Sequence, residues 1–139
     1  LVGYSDANLA GCLDSGRSTT GGLFLLAGGV AAFSSRLQDS AARSAMESEY
    51  KALFDAAQKE EQLRTLLAHL GLELTAPTVI HEDNTAVLAV PMAAGHTRQS
   101  RHIRTRYHFT RELVAAGVIA MEQVSTAGQL AYGLTIGDR

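Results

Sequence analysis

Leu1-Val2-Gly3-Tyr4-Ser5-Asp6 and Thr78-Val79-Ile80-His81-Glu82-Asp83 are two short apolar runs, each closed by an aspartate. Charged groups are costly to bury, so an acid at the end of a strand asks for a reason. A third acid, Glu49, rides a long helical pattern and immediately precedes Tyr50. Carboxylates at two strand ends and on a helix covering them form the sequence pattern of a divalent-metal site in an α/β domain. Each acid also has an ordinary reading. Asp6 could cap a turn, Asp83 could be the N-cap of a helix starting at Asn84, and Glu49 could be solvated.

Working outward, the hydrophobic pattern predicts the remaining elements. Leu1 to Ser5 reads as a strand, followed by a turn-rich stretch from Asp6 to Gly22. Leu23–Leu26 and Val30–Ser35 flank Gly28-Gly29, which predicts an antiparallel hairpin. From Ser40 the period becomes helical. Met46, Tyr50, Leu53, Phe54 and Ala57, then Leu63, Leu66, Leu67 and Leu70, predict one helix ending near Gly71, with Ser40 or Ser44 as its cap. Thr78–Glu82 reads as a strand, Asn84 to about Ala89 as a helix, and Arg101–Ala116 as another helix ended by Gly117. Val118–Val124 is a final strand, and Thr126 to about Leu134 a short final helix. The order βββαβαβα, with an antiparallel start and a later βαβ part, implies a mixed sheet flanked by helices.

The composition fits one domain over residues 1–139, with 46% hydrophobic and 19% charged residues. No stretch approaches the roughly 20 apolar residues of a membrane helix, so no membrane partner is expected. The chain opens without Met or a basic leader and is expected to be a fragment of something longer. Cys12 is the lone cysteine, which rules out an internal disulfide or a Cys-based zinc site and fits an intracellular setting. The net charge of −2 conceals an asymmetry. His96 to Arg111 holds five arginines, three histidines and no acid, while seven basic and fourteen acidic residues lie elsewhere, +5 against −7. Such a segment suits a polyanion; the plain alternative is a solvated helix face.

If the strands ending in Asp6 and Asp83 are parallel neighbours, both carboxylates emerge at one sheet edge, where α/β folds place their ligands. Glu49 precedes Leu53 by four and Ala56 by seven, which puts it on the stripe facing the sheet. All-oxygen ligands favour Mg²⁺ or Mn²⁺ over zinc. Glu47 points roughly 160° away from Glu49 around the helix, and Glu82 faces the opposite side of its strand from Asp83, so both are poorer ligand candidates.

Seven segments in order resemble the ribonuclease H domain of copia-type LTR retrotransposon polyproteins. They are Gly3–Gly11, Arg17–Gly21, Ser34–Gln38, Glu47–Leu53, Glu82-Asp83-Asn84, the pair Arg101-His102-Ile103 with Arg106–Glu112, and Gln129-Leu130-Ala131. The resemblance implies a mixed five-stranded ribonuclease H-like sheet, three antiparallel strands and then parallel ones. It also implies cleavage of the RNA strand of an RNA–DNA hybrid by two-metal hydrolysis. Asp6, Glu49 and Asp83 would be the catalytic, metal-holding acids. A reverse transcriptase portion of the parent polyprotein would be a partner, and the cytoplasm or a virus-like particle the location.

Departures from the family bear on activity. Tyr132 stands where the family's fourth carboxylate follows Gln-Leu-Ala, and a neutral tyrosine is a poor Mg²⁺ ligand. Weakened turnover, and one filled ion position in place of two, would follow. Asp138 lies too far along the chain to substitute. Arg104 replaces an acid, Asn8-Leu9 replaces the usual Asp-Trp, the tyrosine expected near Gly22 is missing, and the chain has no tryptophan. Asn84, Arg98, Arg101, His102, Arg104 and Arg106 are the candidate nucleic-acid contacts, through backbone phosphates or 2′-hydroxyls. For the histidines a plain surface role is equally ordinary. Two further readings stand beside the hybrid ribonuclease: a non-catalytic nucleic-acid-binding remnant, and a nuclease of the same fold acting on DNA.

Overall fold

The computed structural model describes residues 1–84, 87 and 98–136, with side chains from 104 onward in the last group. Five strands form one mixed sheet: β1 (Val2–Asn8), β2 (Thr19–Leu26), β3 (Gly29–Leu37), β4 (Thr78–Glu82) and β5 (Ile119–Gln123). Their order is β3-β2-β1-β4-β5. The first three strands pair antiparallel, whereas β1–β4 and β4–β5 are parallel, with Tyr4 opposite His81 and Ile80 opposite Met121. The expected mixed sheet is therefore present. Parallel neighbours need long crossovers, and among the described residues two long helices lie on them: α1 (Ala45–His69) between β3 and β4, and α2 (Arg98–Ala115) between β4 and β5.

Local chemistry sets the element ends. Ser44 is the N-cap of α1 and its hydroxyl accepts from Glu47 N at 3.1 Å. Both helices stop in the same way, at a glycine in the left-handed region. In α1 the N–H groups of Gly71 and Leu72 return to Ala68 O and Leu67 O, and in α2 those of Gly117 and Val118 return to Val114 O and Leu113 O. The β2–β3 hairpin turns on Ala27 and Gly28, both with positive φ, one residue earlier than the Gly28-Gly29 reading, and Gly29 already pairs with Leu26.

Alternation gives the sheet two different faces. Phe24, Ile80 and Ile119 point to the helix side and form the core with Tyr50, Leu53, Ala56 and Ala57 of α1, joined by Tyr107, Phe109 and Leu113 of α2. The buried stripe of α1 also contains Glu49 and Glu60, whereas Met46, Leu66 and Leu70 are exposed. The apolar pattern alone thus sets the buried face slightly off, because two acids share it.

The final helix expected over Thr126–Leu134 is absent. Two 3-10 turns, Thr126–Gly128 and Tyr132–Leu134, take its place. Between them Gln129 is buried and its amide donates to Ser5 O at 2.8 Å, a bond that a continuous helix would interrupt. β1 also runs further than expected, through Asp6 to Asn8, so Asp6 is a strand residue rather than a turn cap. The helix expected from Asn84 falls largely outside the described residues. No helix among the described residues is long and apolar enough to cross a membrane.

Glu60 is fully buried and ties α1 to the parallel strands. Arg64 Nε donates to Glu60 Oε1 at 2.8 Å, Thr78 Oγ1 donates to the same oxygen at 2.6 Å, and the guanidinium also reaches Leu74 O, Ala76 O and Val118 O. Removing the cation strands a buried acid. Arg64→Met should therefore cost about 3 kcal/mol in urea unfolding, and a loss under about 0.5 kcal/mol, the usual range for a surface change, would contradict this role.

Candidate metal centre

β1 and β4 pair only as far as Tyr4 and His81, while β1 continues against β2 to Asn8. Beyond that last pair the sheet opens a notch at the carboxyl ends of two parallel strands, the position where such folds bind ligands. Asp6 lines it from β1, Asp83 from the residue after β4, and Glu49 from the first turns of α1. One carboxylate oxygen from each lies within 4.8 Å of the others. The three acids singled out by sequence thus converge.

The electrostatics of this cluster are severe. Asp6 and Glu49 are buried and Asp83 is half-buried. At such separations each ionised pair repels by roughly 3 kcal/mol at an effective dielectric near 20. Burial pushes the Glu49 carboxyl up to about 9, with Glu82, Asp6 and Asp83 adding repulsion. Asp6 is also raised, by burial first, although a hydrogen bond from Thr135 opposes the shift. Glu49 Oε2 is buried and has no hydrogen-bond partner among the described residues. An orphaned buried oxygen in an all-carboxylate cluster is the donor set that suits a hard divalent cation.

Two participants escaped the sequence. Glu82 faces the helix side of β4, as alternation requires, but it is fully buried there and electrostatically coupled to the cluster. Burial lifts it to about 8, and its Oε2 has no partner among the described residues. Thr135 is buried, and its hydroxyl lies 2.7 Å from Asp6 Oδ2, 129 residues away in sequence. No local pattern announces so distant a contact. Glu47 is excluded, as expected, because it pairs with Lys51 at 3.0 Å.

The remaining candidates divide. Asn84 is half-buried beside the cluster, its N–H donating to Glu82 Oε1 at 3.3 Å. Arg104 is exposed on α2. Arg106 lies against α1, its guanidinium 5.3 Å from the Phe54 ring centroid, and it lines a small polar cavity with Arg36, Lys51 and Asp55. Arg98, Arg101 and His102 sit in the first turns of α2, and their side chains fall outside the described set. Tyr132 opens the last 3-10 turn with its side chain half exposed. Asp138 also lies outside the described residues.

Known proteins resemble the chain in sequence and in fold. It is 38% identical over 138 residues to the Retrovirus-related Pol polyprotein from transposon RE1 of Arabidopsis thaliana, covering 97% of this chain and 9% of that one. It is 34% identical over 126 residues to the corresponding polyprotein from transposon TNT 1-94 of Nicotiana tabacum, covering 91% and 9%. No family model matches the chain. Among solved structures, LC11-RNase H1, isolated from compost, superposes with a TM-score of 0.67 at 15% identity, covering 96% of this chain and 90% of that one. The same enzyme in complex with an RNA/DNA hybrid superposes at 0.64 and 12% identity, covering 96% and 91%. The fold is that of ribonuclease H. The chain is a homologue of one segment of transposon Pol polyproteins, spanning about a tenth of their length.

The raised carboxyls determine how stability varies with pH. Glu49 and Glu82 bind protons more tightly folded than unfolded, where a glutamate titrates near 4.3. Between about pH 4.5 and 8 the native chain holds more protons than the unfolded one, so stability falls as pH rises. In EDTA the melting temperature should drop from about pH 5.5 to about pH 8.5, and Glu49→Gln should flatten the slope. A metal-free melting temperature that climbs over this interval contradicts the assignment.

Proposed function

We propose that this chain is the ribonuclease H domain of a copia-type retrotransposon Pol polyprotein, cleaving the RNA strand of an RNA–DNA hybrid. The convergence of Asp6, Glu49 and Asp83 within 4.8 Å carries the reading. The Pol homologues and the hybrid-bound fold neighbour support the substrate class.

Asp6, Glu49 and Asp83 would hold Mg²⁺ or Mn²⁺, which when bound activates water and stabilises the departing oxygen. The chain's own task is to present three acceptors in one place while the sheet and α1 keep them from separating. Asn84, at the rim, would contact the hybrid backbone. Arg104 and its neighbours at the start of α2 supply positive charge for phosphates. A reverse transcriptase portion of the parent chain would deliver the hybrid.

Tyr132 favours a second reading, a hybrid-binding remnant without turnover. It opens the turn next to the cluster with an exposed phenol where an active member carries a carboxylate.

Cleavage of a fluorescent RNA–DNA hybrid separates the two. The domain should cut with Mg²⁺ or Mn²⁺, Asp6→Asn should lose at least about 100-fold, and Tyr132→Asp should raise the rate. Intact hybrid binding with no cleavage in either ion would establish the remnant, and equal cleavage of duplex DNA would move the substrate class. For the basic segment, Arg101→Ala with Arg106→Ala should reduce the salt slope of hybrid binding by about one to two. An unchanged slope removes the segment from phosphate contact.

A further inference from the structure

From the far end of the chain, a neutral donor reaches the cluster. Asp6 and Gly21 face each other across β1 and β2, on the sheet face away from the helices. A side chain at Gly21 would meet Ala131 O at 2.8 Å and the Thr135 methyl at 2.8 Å, so only glycine lets the last 3-10 turn settle on that face. The turn is then pinned from two sides. Ser35 Oγ donates to Leu134 O, and Asn8 Nδ2 donates to Thr135 O at 3.3 Å. Thr135 itself is 1% exposed. Its hydroxyl has one proton and two acceptors in reach, Asp6 Oδ2 at 2.7 Å and Tyr132 O at 2.9 Å. The contact to Asp6 is the shorter of the two, so the carboxylate is the acceptor the geometry favours.

We propose that Thr135 is a positioning residue for the metal centre. Its hydroxyl holds one oxygen of Asp6 and so fixes the carboxylate's rotation. This is the role that outer partners of metal ligands play generally, orienting the ligand and contributing to affinity without touching the ion. The proposal rests on Asp6 being a metal ligand. It does not require turnover, and it concerns the same turn in which Tyr132 contributes no carboxylate. On this account the turn retains a function at the site through Thr135.

The test is Mn²⁺ binding without nucleic acid, followed by electron paramagnetic resonance on the full chain, Thr135→Val and Thr135→Ser. Thermal melts of each check the fold. Valine keeps the shape and deletes the donor, so it should weaken Mn²⁺ about 10-fold. Serine restores the donor and should recover most of that loss. The inference is overturned if valine binds Mn²⁺ as the parent does, if serine is as weak as valine, or if the parent binds none. Hybrid cleavage measured on the same samples keeps the two proposals apart. A parent that binds Mn²⁺ with the expected variant order but cuts nothing upholds Thr135's role and defeats the catalytic reading alone.

Discussion

Mutual repulsion among carboxylates at one sheet edge is the constraint around which this domain is organised. Asp6, Glu49 and Asp83 bring oxygens within 4.8 Å of one another, and two of the three side chains are buried. Left alone, such a cluster must take up protons or separate. Neither helix packing nor strand pairing relieves it, since both are what force the three together. A divalent cation would relieve all three at once.

The rest of the structure resists that repulsion. The α1 helix carries Glu49 near its start and is anchored further along, through Glu60 and Arg64, to the beginning of β4 and the approach to β5. That clamp sits at the opposite end of β4 from Asp83. On the other face of the sheet, Gly21 admits the terminal turn and Gln129 ties it to Ser5 O. One wall of the site is therefore built from residues more than a hundred positions away from Asp6. A change in the last turn would reach Asp6 through Thr135.

Much of this was legible in the sequence where the signal is local. Apolar runs bounded by turns located the five strands of the described residues, Gly71 and one of the two offered caps, Ser44, bounded α1, and the acid-terminated runs identified the three converging carboxylates. What escaped is long-range. Glu82 looked like the wrong face of its strand, and alternation was right about its direction; what it could not show is that the inner face there is buried against Glu49. Thr126–Leu134 has helical spacing, but Gln129 must turn inward to reach Ser5, and that tertiary bond breaks the helix into two short turns. Met46, Leu66 and Leu70 mark the helical period yet are exposed, whereas Glu60, an acid, is fully buried through partners elsewhere in the chain.

Family likeness and site geometry contribute differently. Sequence similarity to transposon Pol polyproteins and the ribonuclease H fold indicate what the chain descends from, and the carboxylate cluster indicates what chemistry is still available to it. Tyr132 is where the two part, an exposed ring in a turn whose neighbour Thr135 still grips Asp6. The most direct measurement is anomalous diffraction from crystals grown with Mn²⁺. The account predicts a peak bounded by oxygens of Asp6, Glu49 and Asp83. Crystals that show these three side chains turned apart, or Mn²⁺ bound only elsewhere, would contradict it.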